Sequence, residues 1–515
     1  MMRSRPWTRS RRVLVVLAAF GAAFAITTGG TVIAHDRPGH THGPNAHPFE
    51  LTLQDDGVAS LPVREGPFPD TRNMQFLGQI SPDDLGALPV PGAWAKGMMN
   101  DLWGWTSPAG EEYALATNSG GIAFVRVTDP ENPVFVGRIE TPAPLDFGNI
   151  WGDPATFGNF AYFTNEIDGS EIVGADLSGL DALGPAPSPD TDVPLSTFTF
   201  GSDDGYDGSH NIQINEETGY AYVAGVHLEE GAGNNACGDE EPARFNTLIY
   251  DLNTDPTNPD VVACVPNKGE HDFYPVVYDG PDPDYQGREI LFVFDGRDRE
   301  GQAADPPNPV GGKTEIWDVT DKDNIEVISS FRIPELVFSH NGWTTEEQDF
   351  LFIGDEIDEL VKAGWSATSA FAQPVDDPTN MPQTGTYIMD IRDLDNPELV
   401  ERFTDGTVGL DHNFVVKDDK LYIASYTSGT RVLQIERDGN GDVSLSPLAH
   451  MDTEPRLQEN ILNIKQEENF SSAFLGQWGI YALFDSDTII ATDINNGLIT
   501  MRLSDAPCSG IACSQ

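Results

Sequence analysis

The sequence predicts an all-β chain folded as a seven-bladed β-propeller whose last blade is closed by a strand from the N-terminal side. Three observations carry this: heavy turn punctuation, a recurring hairpin phrase, and a strand opener that returns seven times. The 515 residues include 51 glycines and 38 prolines, which leaves little room for long uninterrupted helices and favours many short strands. The hairpin phrase, an apolar alternation broken by Asp-x-x-Asn-Pro, stands at Phe124 to Pro133. It returns around Ile249 to Pro259, at Ile316 to Ile325 with Ile in place of Pro, and at Ile388 to Pro397. Asp and Asn side chains cap such a turn and Pro fixes its φ, so each copy reads as two antiparallel strands.

The strand opener is an aromatic residue or histidine followed by Gly, Asn or Asp. In order it reads Trp103-Gly104, Trp151-Gly152, His210-Asn211, His271-Asp272, His340-Asn341, His412-Asn413 and Trp478-Gly479. Each starts a unit of three to four strands, and stacked units that bury their faces against neighbours describe a propeller. The last unit, Gln477 to Leu503, lacks a fourth strand, whereas Met74 to Ile80 has the fourth-strand pattern of Val134 to Ile139 and no unit of its own. That segment is expected to complete blade seven and remove an open sheet edge.

The ends of the chain are read separately. Residues 1–34 carry five arginines, no acid and an apolar core from Val13 to Phe24, the pattern of a signal peptide. An uncleaved anchor is the alternative, and Ser10 to Leu14 offers a twin-arginine match. Residues 35–72 read as a flexible His- and Pro-rich leader, 73–505 as the propeller, and 506–515 as a Cys-containing tail. With 82 acidic and 29 basic residues the net charge is −53, so nucleic acid is excluded as a partner. The mature chain is expected to have no membrane span and to be secreted or held at the cell surface. In such a setting the four cysteines favour disulfides over thiols. Of the three possible pairings, Cys237 with Cys264 and Cys508 with Cys513 is expected, the first contributing about 3 to 4 kcal/mol.

The phrases also resemble a known family. Gly120-Gly121-Ile122-Ala123-Phe124-Val125, with its Asp129 to Pro133 turn, looks like an LVIVD repeat. Asn100-Asp101-Leu102-Trp103-Gly104-Trp105, Ser209-His210-Asn211, Asp279 to Glu289, Ser339-His340-Asn341-Gly342-Trp343 and Asp411-His412-Asn413 resemble the choice-of-anchor B family of bacterial surface and secreted propellers, from about Met74 to Leu503. The resemblance implies fold and export and no particular reaction.

Chemistry is expected where the strand openers meet. Opening the innermost strands, they should ring one mouth of the central channel. Long inserts at 226–246, 297–313 and 357–384, each between second and third strands, would overhang that face. The chain has ten histidines. Four lie in the leader (His35, His40, His42, His47), two elsewhere (His227, His450), and the rest are the ring members His210, His271, His340 and His412. Four imidazoles converging on one point could ligate a divalent transition metal such as iron, copper, zinc or manganese. Asp101, Glu270, Asp272 and Asp411 would serve as outer partners, and Trp103, Trp151 and Trp478 as ring packing. Two other uses stay open: hydrogen bonds that tie neighbouring blades, and metal-free acid/base or ligand contact.

Weaker signals are Asp438 to Asp442, which starts like a calcium loop and ends without its Glu, and Asp355 to Glu359, a solvated loop or a cation holder. The functional expectation is an exported binding or interaction module with an axial metal site, its ligand a small molecule or a protein. A metal-dependent oxidoreductase or hydrolase using that site and a purely structural scaffold are the alternatives.

Overall fold

A computed structural model of the protein describes residues 63–90, 97–140, 151–228, 237, 246–266, 270–296, 312–333, 335–359, 383–454, 474–510 and 513. Two strands come first, β1 (Thr71–Arg72) and β2 (Met74–Ile80). Blade 1 is β3 (Met99–Thr106), β4 (Glu112–Asn118), β5 (Gly121–Arg126) and β6 (Val134–Glu140). Blade 2 is β7 (Pro154–Phe157), β8 (Phe160–Phe163), β9 (Ile172–Asp176) and β10 (Thr197–Phe200). Blade 3 is β11 (Asn211–Asn215), β12 (Tyr220–Val226), β13 (Asn246–Asp251) and β14 (Asp260–Val265). Blade 4 is β15 (Asp272–Val277), β16 (Glu289–Phe294), β17 (Lys313–Asp318) and β18 (Glu326–Arg332). Blade 5 is β19 (Ser339–Thr344), β20 (Phe350–Asp355), β21 (Thr386–Asp390) and β22 (Glu398–Phe403). Blade 6 is β23 (Phe414–Lys417), β24 (Lys420–Ala424), β25 (Thr430–Arg437) and β26 (Val443–Met451), and blade 7 is β27 (Gln477–Tyr481), β28 (Ile489–Asp493) and β29 (Gly497–Leu503).

Each blade is an antiparallel meander, and the first strands touch one another in a closed circle, β3 to β7, β11, β15, β19, β23, β27 and back to β3. The protein is therefore a seven-bladed β-propeller. Burial explains the strand compositions. β16 reads Glu-Ile-Leu-Phe-Val-Phe and is buried throughout, whereas the outermost β22, Glu-Leu-Val-Glu-Arg-Phe, is exposed over its first four residues. An inner strand is covered on both faces and so loses the alternation of a half-buried one. Among the described residues the core divides into seven apolar clusters, one in each gap between neighbouring blades.

The hairpin phrase makes the same turn in blades 1, 3, 4 and 5. The amide of Asn132, Asn258, Asn324 and Asn396 donates to the carbonyl of Asp129, Asp255, Asp321 and Asp393 at 3.0, 3.3, 3.0 and 3.1 Å. β2 pairs with β29 as the fourth strand of blade 7, Met74 opposite Leu503 and Ile80 opposite Leu498. Gly497, at φ 96°, faces the start of that pairing; a Cβ there would lie 1.9 Å from the Ile80 carbonyl oxygen.

The expected leader is corrected at its C-terminal end. Residues 1–62, with the signal peptide and most of the leader, lie outside the described residues, but 63–72 belong to the folded body. Phe68 is buried against the Phe76 ring at 5.5 Å, and β1 adds a fifth strand to blade 6, with Thr71 opposite Met451. The tail returns to the same place, where the Asn73 amide donates to the Cys508 carbonyl at 3.1 Å. Both expected disulfides form, Cys237–Cys264 and Cys508–Cys513. No helix among the described residues is long and apolar enough to cross a membrane.

Candidate metal centre at the propeller axis

Four imidazoles stand side by side at the entrance to the first strands of blades 3 to 6. Ring centroids are 4.2 Å apart for His210 and His271, 4.3 Å for His271 and His340, and 4.2 Å for His340 and His412. Equivalent backbone stations put them there: the amides of His210, His271 and His412 donate to the carbonyls of Ala224, Phe294 and Ala424, at or near the end of each second strand.

In three of the four rings Nδ1 meets a group of a neighbouring blade, so blade-tying and ligation do not exclude each other. Nδ1 of His271 donates to the His340 carbonyl at 3.2 Å, and Nδ1 of His412 to the Trp478 carbonyl at 2.6 Å, each in the next blade. His340 Nδ1 reaches toward the backbone of His412 without closing a bond of ordinary geometry. Nδ1 of His210 turns to the blade behind it and meets Glu166 Oε1. A carbonyl can only accept, so Nδ1 of His271 and His412 carries the proton, and in the neutral ring Nε2 then has the lone pair that a metal needs. Burial holds His412 down to about 3, and burial together with the other imidazoles holds His340 well below its usual range, so both are neutral at neutral pH. His210 goes the other way: burial would lower it, but the bond and charge of Glu166 raise it.

A carboxylate completes the set. Glu356 Oε2 lies 3.7 Å from His340 Nε2, its Oε1 4.0 Å from His412 Nε2, and Tyr426 Oη donates to Oε1 at 2.8 Å. Burial pushes Glu356 up to about 7, against the lowering effect of Tyr426 and His210. One donor atom each from His271, His340 and Glu356 lie within 4.8 Å of one another. Two imidazoles and a carboxylate at that spacing can share one ion. The run Asp355 to Glu359 is thus no solvated loop: all five residues are buried, Asp355 accepting from the amides of Val337 at 2.6 Å and Phe338 at 3.0 Å.

Glu356 and Glu166 occupy matching stations just past the second strands of blades 5 and 2. Sequence reading missed this, although the repeat Asn165-Glu166-Ile167-Asp168 against Asp355-Glu356-Ile357-Asp358 was there to be found. Tyr426 holds the same station in blade 6, since Ala424 and Thr164, two residues earlier, make the equivalent bonds to Asn413 and Asp153.

The expected outer partners lie elsewhere. Successive side chains leave a strand on opposite sides, so the sequence neighbours of a ring histidine are not its neighbours in space. Asp411 accepts from Ser425 and from Arg431 at 2.8 Å, and Glu270 accepts from Thr247 at 3.2 Å. Asp101 and Asp272 belong to a second polar ring one residue further along the strands. There Asn341 donates to Asp272 at 2.5 Å and Asn413 to Asp101 at 2.9 Å, with Asp153 beside Asp101. Burial raises Asp101 to about 6 and Asp272 to about 7, and burial with Asp101 raises Asp153 well above its usual value. Asn413 reaches across blade 7 because Gly479 stands between; a Cβ at 479 would lie 2.1 Å from Asp101 Oδ1.

Two tryptophans are also corrected. In blade 1 the strand bulge between Met99 and Leu102 matches that between Ser339 and Gly342, so Asn100 takes the station of His340. Trp103 comes three residues later and packs on Tyr481 at 5.2 Å. In blade 2 the station falls on Gly152, one past Trp151, because Thr164 donates to Asp153 as Ala424 does to Asn413. Trp478 does join the ring, 4.9 Å from His412. The two letter matches slipped the register, in blade 1 across a strand bulge. Asp438 to Asp442 closes on itself as a hairpin turn, with the amides of Asn440 and Asp442 donating to Asp438 Oδ1 at 2.7 and 3.1 Å. The three inserts fall between second and third strands as expected, and most of their residues lie outside those described.

Fold and site together define a β-propeller with a histidine-rich axis. No family model matches the chain, and no curated protein does. Among solved structures it is similar to the WD40 domain of Neurospora crassa Pan2, with 9% identity, TM-score 0.43, and coverage of 86% of this chain and 98% of that one. It is also similar to a functionally unknown protein from Desulfotomaculum acetoxidans, with 10% identity, TM-score 0.39, and coverage of 79% and 99%.

Proposed function

We propose that this protein is an exported propeller module that holds a divalent transition metal at its axis and presents it to a ligand on the histidine face. The observation that carries the reading is the convergence of His271, His340 and Glu356 donor atoms within 4.8 Å of one another. His412 and His210 flank them, and Nδ1 of His271, His412 and His210 is already occupied by outer partners. Histidine–carboxylate sets suit iron, zinc or manganese, and the added glutamates compensate the ion's charge. Export is supported by the N-terminal charge and hydropathy pattern, the two disulfides and the resemblance to LVIVD-repeat propellers.

Elemental analysis of the purified mature protein tests this. One equivalent of metal is expected in the wild type, lost in His340→Ala and reduced in His210→Ala while both stay folded by circular dichroism. A folded wild type that neither carries nor takes up metal overturns the reading.

A further inference from the structure

Tyr426 is held with unusual force. Its φ is 29°, a left-handed value that a bulky residue keeps only where its surroundings over-determine it. Here the Tyr426 carbonyl accepts from Gly429 at 3.0 Å and Gln477 at 2.9 Å. Gly476 allows that approach, since a Cβ there would lie 2.0 Å from the same oxygen. The ring is wedged against His412 at 4.9 Å, Phe474 at 5.4 Å and Trp478 at 5.8 Å, and the hydroxyl ends on Glu356 Oε1 at 2.8 Å.

A carboxylate can meet an ion through one oxygen or two, and the second mode uses up an extra place in the coordination shell. We propose that Tyr426 is a positioning residue of the axial site: by donating to Oε1 it leaves Oε2 of Glu356 alone to meet an ion shared with His271 and His340, and so keeps one place open for a small uncharged ligand. The inference rests on the axial ion proposed above. The class of ligand follows from the walls. Trp478, Tyr426 and Phe338, the last 5.0 Å from the His271 ring, surround the imidazoles with aromatic surface. Glu356 offers the ion one negative charge and Glu166 offsets a proton on His210, in a chain of net charge −53, so an anion gains little there.

The test uses the mature protein loaded with cobalt(II), whose absorption spectrum reports coordination number. Tyr426→Phe keeps the ring and removes the hydroxyl. It is expected to bind cobalt about tenfold more weakly and to change the visible spectrum, as Glu356 swings to two-oxygen binding. A control variant, Tyr222→Phe, removes a buried hydroxyl elsewhere and should leave the spectrum unchanged. If the wild type binds cobalt and the spectrum of Tyr426→Phe superimposes on it, Tyr426 does not position Glu356. If the wild type binds no cobalt, the axial site itself fails and this inference with it. Should Tyr426→Phe not fold, the wild type decides: loaded with iron(II) under nitrogen and exposed to nitric oxide, it should give the paramagnetic signal of an iron–nitrosyl adduct. Absence of that signal from iron-loaded protein overturns the open place.

Discussion

Just past their second strands, blades 2 and 5 carry nearly the same residues and put them to unlike uses. In both, the isoleucine of Glu-Ile-Asp is buried, Ile167 and Ile357, and the aspartate meets a basic side chain. Asp168 lies 3.7 Å from His227, and Asp358 pairs with Arg402 at 2.9 Å. The glutamates part company. Glu166 meets Nδ1 of His210, whereas Glu356 lies on the Nε2 side of His340 and His412. The blade station sets how far the carboxylate reaches; the carbonyl of the next blade decides which nitrogen it finds. Where Trp478 has already taken Nδ1 of His412, the glutamate is left beside a lone pair. One carboxylate orients an imidazole and the other stands where the proposed ion would need a ligand.

The largest effect that could break this comparison is on stability. Arg402→Ala leaves the fully buried Asp358 without its guanidinium, and urea unfolding should show a loss of about 3 to 5 kcal/mol. The looser contact in blade 2 should cost less, about 1 to 3 kcal/mol for His227→Ala; equal losses would mean the two aspartates are equivalent. On metal affinity, Glu356→Gln should weaken binding by more than about 100-fold and Glu166→Gln by about tenfold, measured by competition with a chelator. Similar losses would erase the distinction between ligand and orienting group.

A third measurement follows pH in metal-free protein. Burial raises the Glu356 carboxyl from 4.5 to about 7, so between those values the folded state binds the proton more tightly than the unfolded one. This contribution to stability is therefore present at low pH and is lost as pH rises from about 4.5 through 7, by up to about 3 kcal/mol at about 1.4 kcal/mol per pH unit. Glu356→Gln should make the fall shallower by that amount, leaving the shares of Asp101 and Asp272; an unchanged stability–pH profile would show that the group is not buried as described. The smallest effect belongs to the turn that starts like a calcium loop. Asp442→Ala removes only the exposed contact to Arg392 at 3.1 Å and should shift stability by less than about 1 kcal/mol, with or without calcium.

Much of the architecture is legible in the sequence because a propeller repeats itself. Each Asp-x-x-Asn-Pro turn carries its own caps, and the lone strand Met74–Ile80 has one place to go. The four histidines are legible for the same reason, each opening a first strand. What escaped has a common cause in registers that letters do not show. Trp103 and Trp151 look like ring residues, yet a bulge in blade 1 moves the station to Asn100, and the strand pairing of blade 2 puts it on Gly152. Glu166 and Glu356 lie at strand ends, one of them before an insert, where only comparison of second strands with one another exposes their equivalence. Residues 63–72 looked like leader because what holds them is distant in the chain: Thr71 pairs with Met451 of blade 6, and the Arg64 amide donates to Asn496.

Crystals of the metal-loaded protein, measured on both sides of the metal's absorption edge, test the central claim most directly. The account predicts a single strong anomalous peak within bonding distance of His271, His340 and the Oε2 atom of Glu356. A peak bound elsewhere, or none at the axis of a loaded crystal, would contradict it.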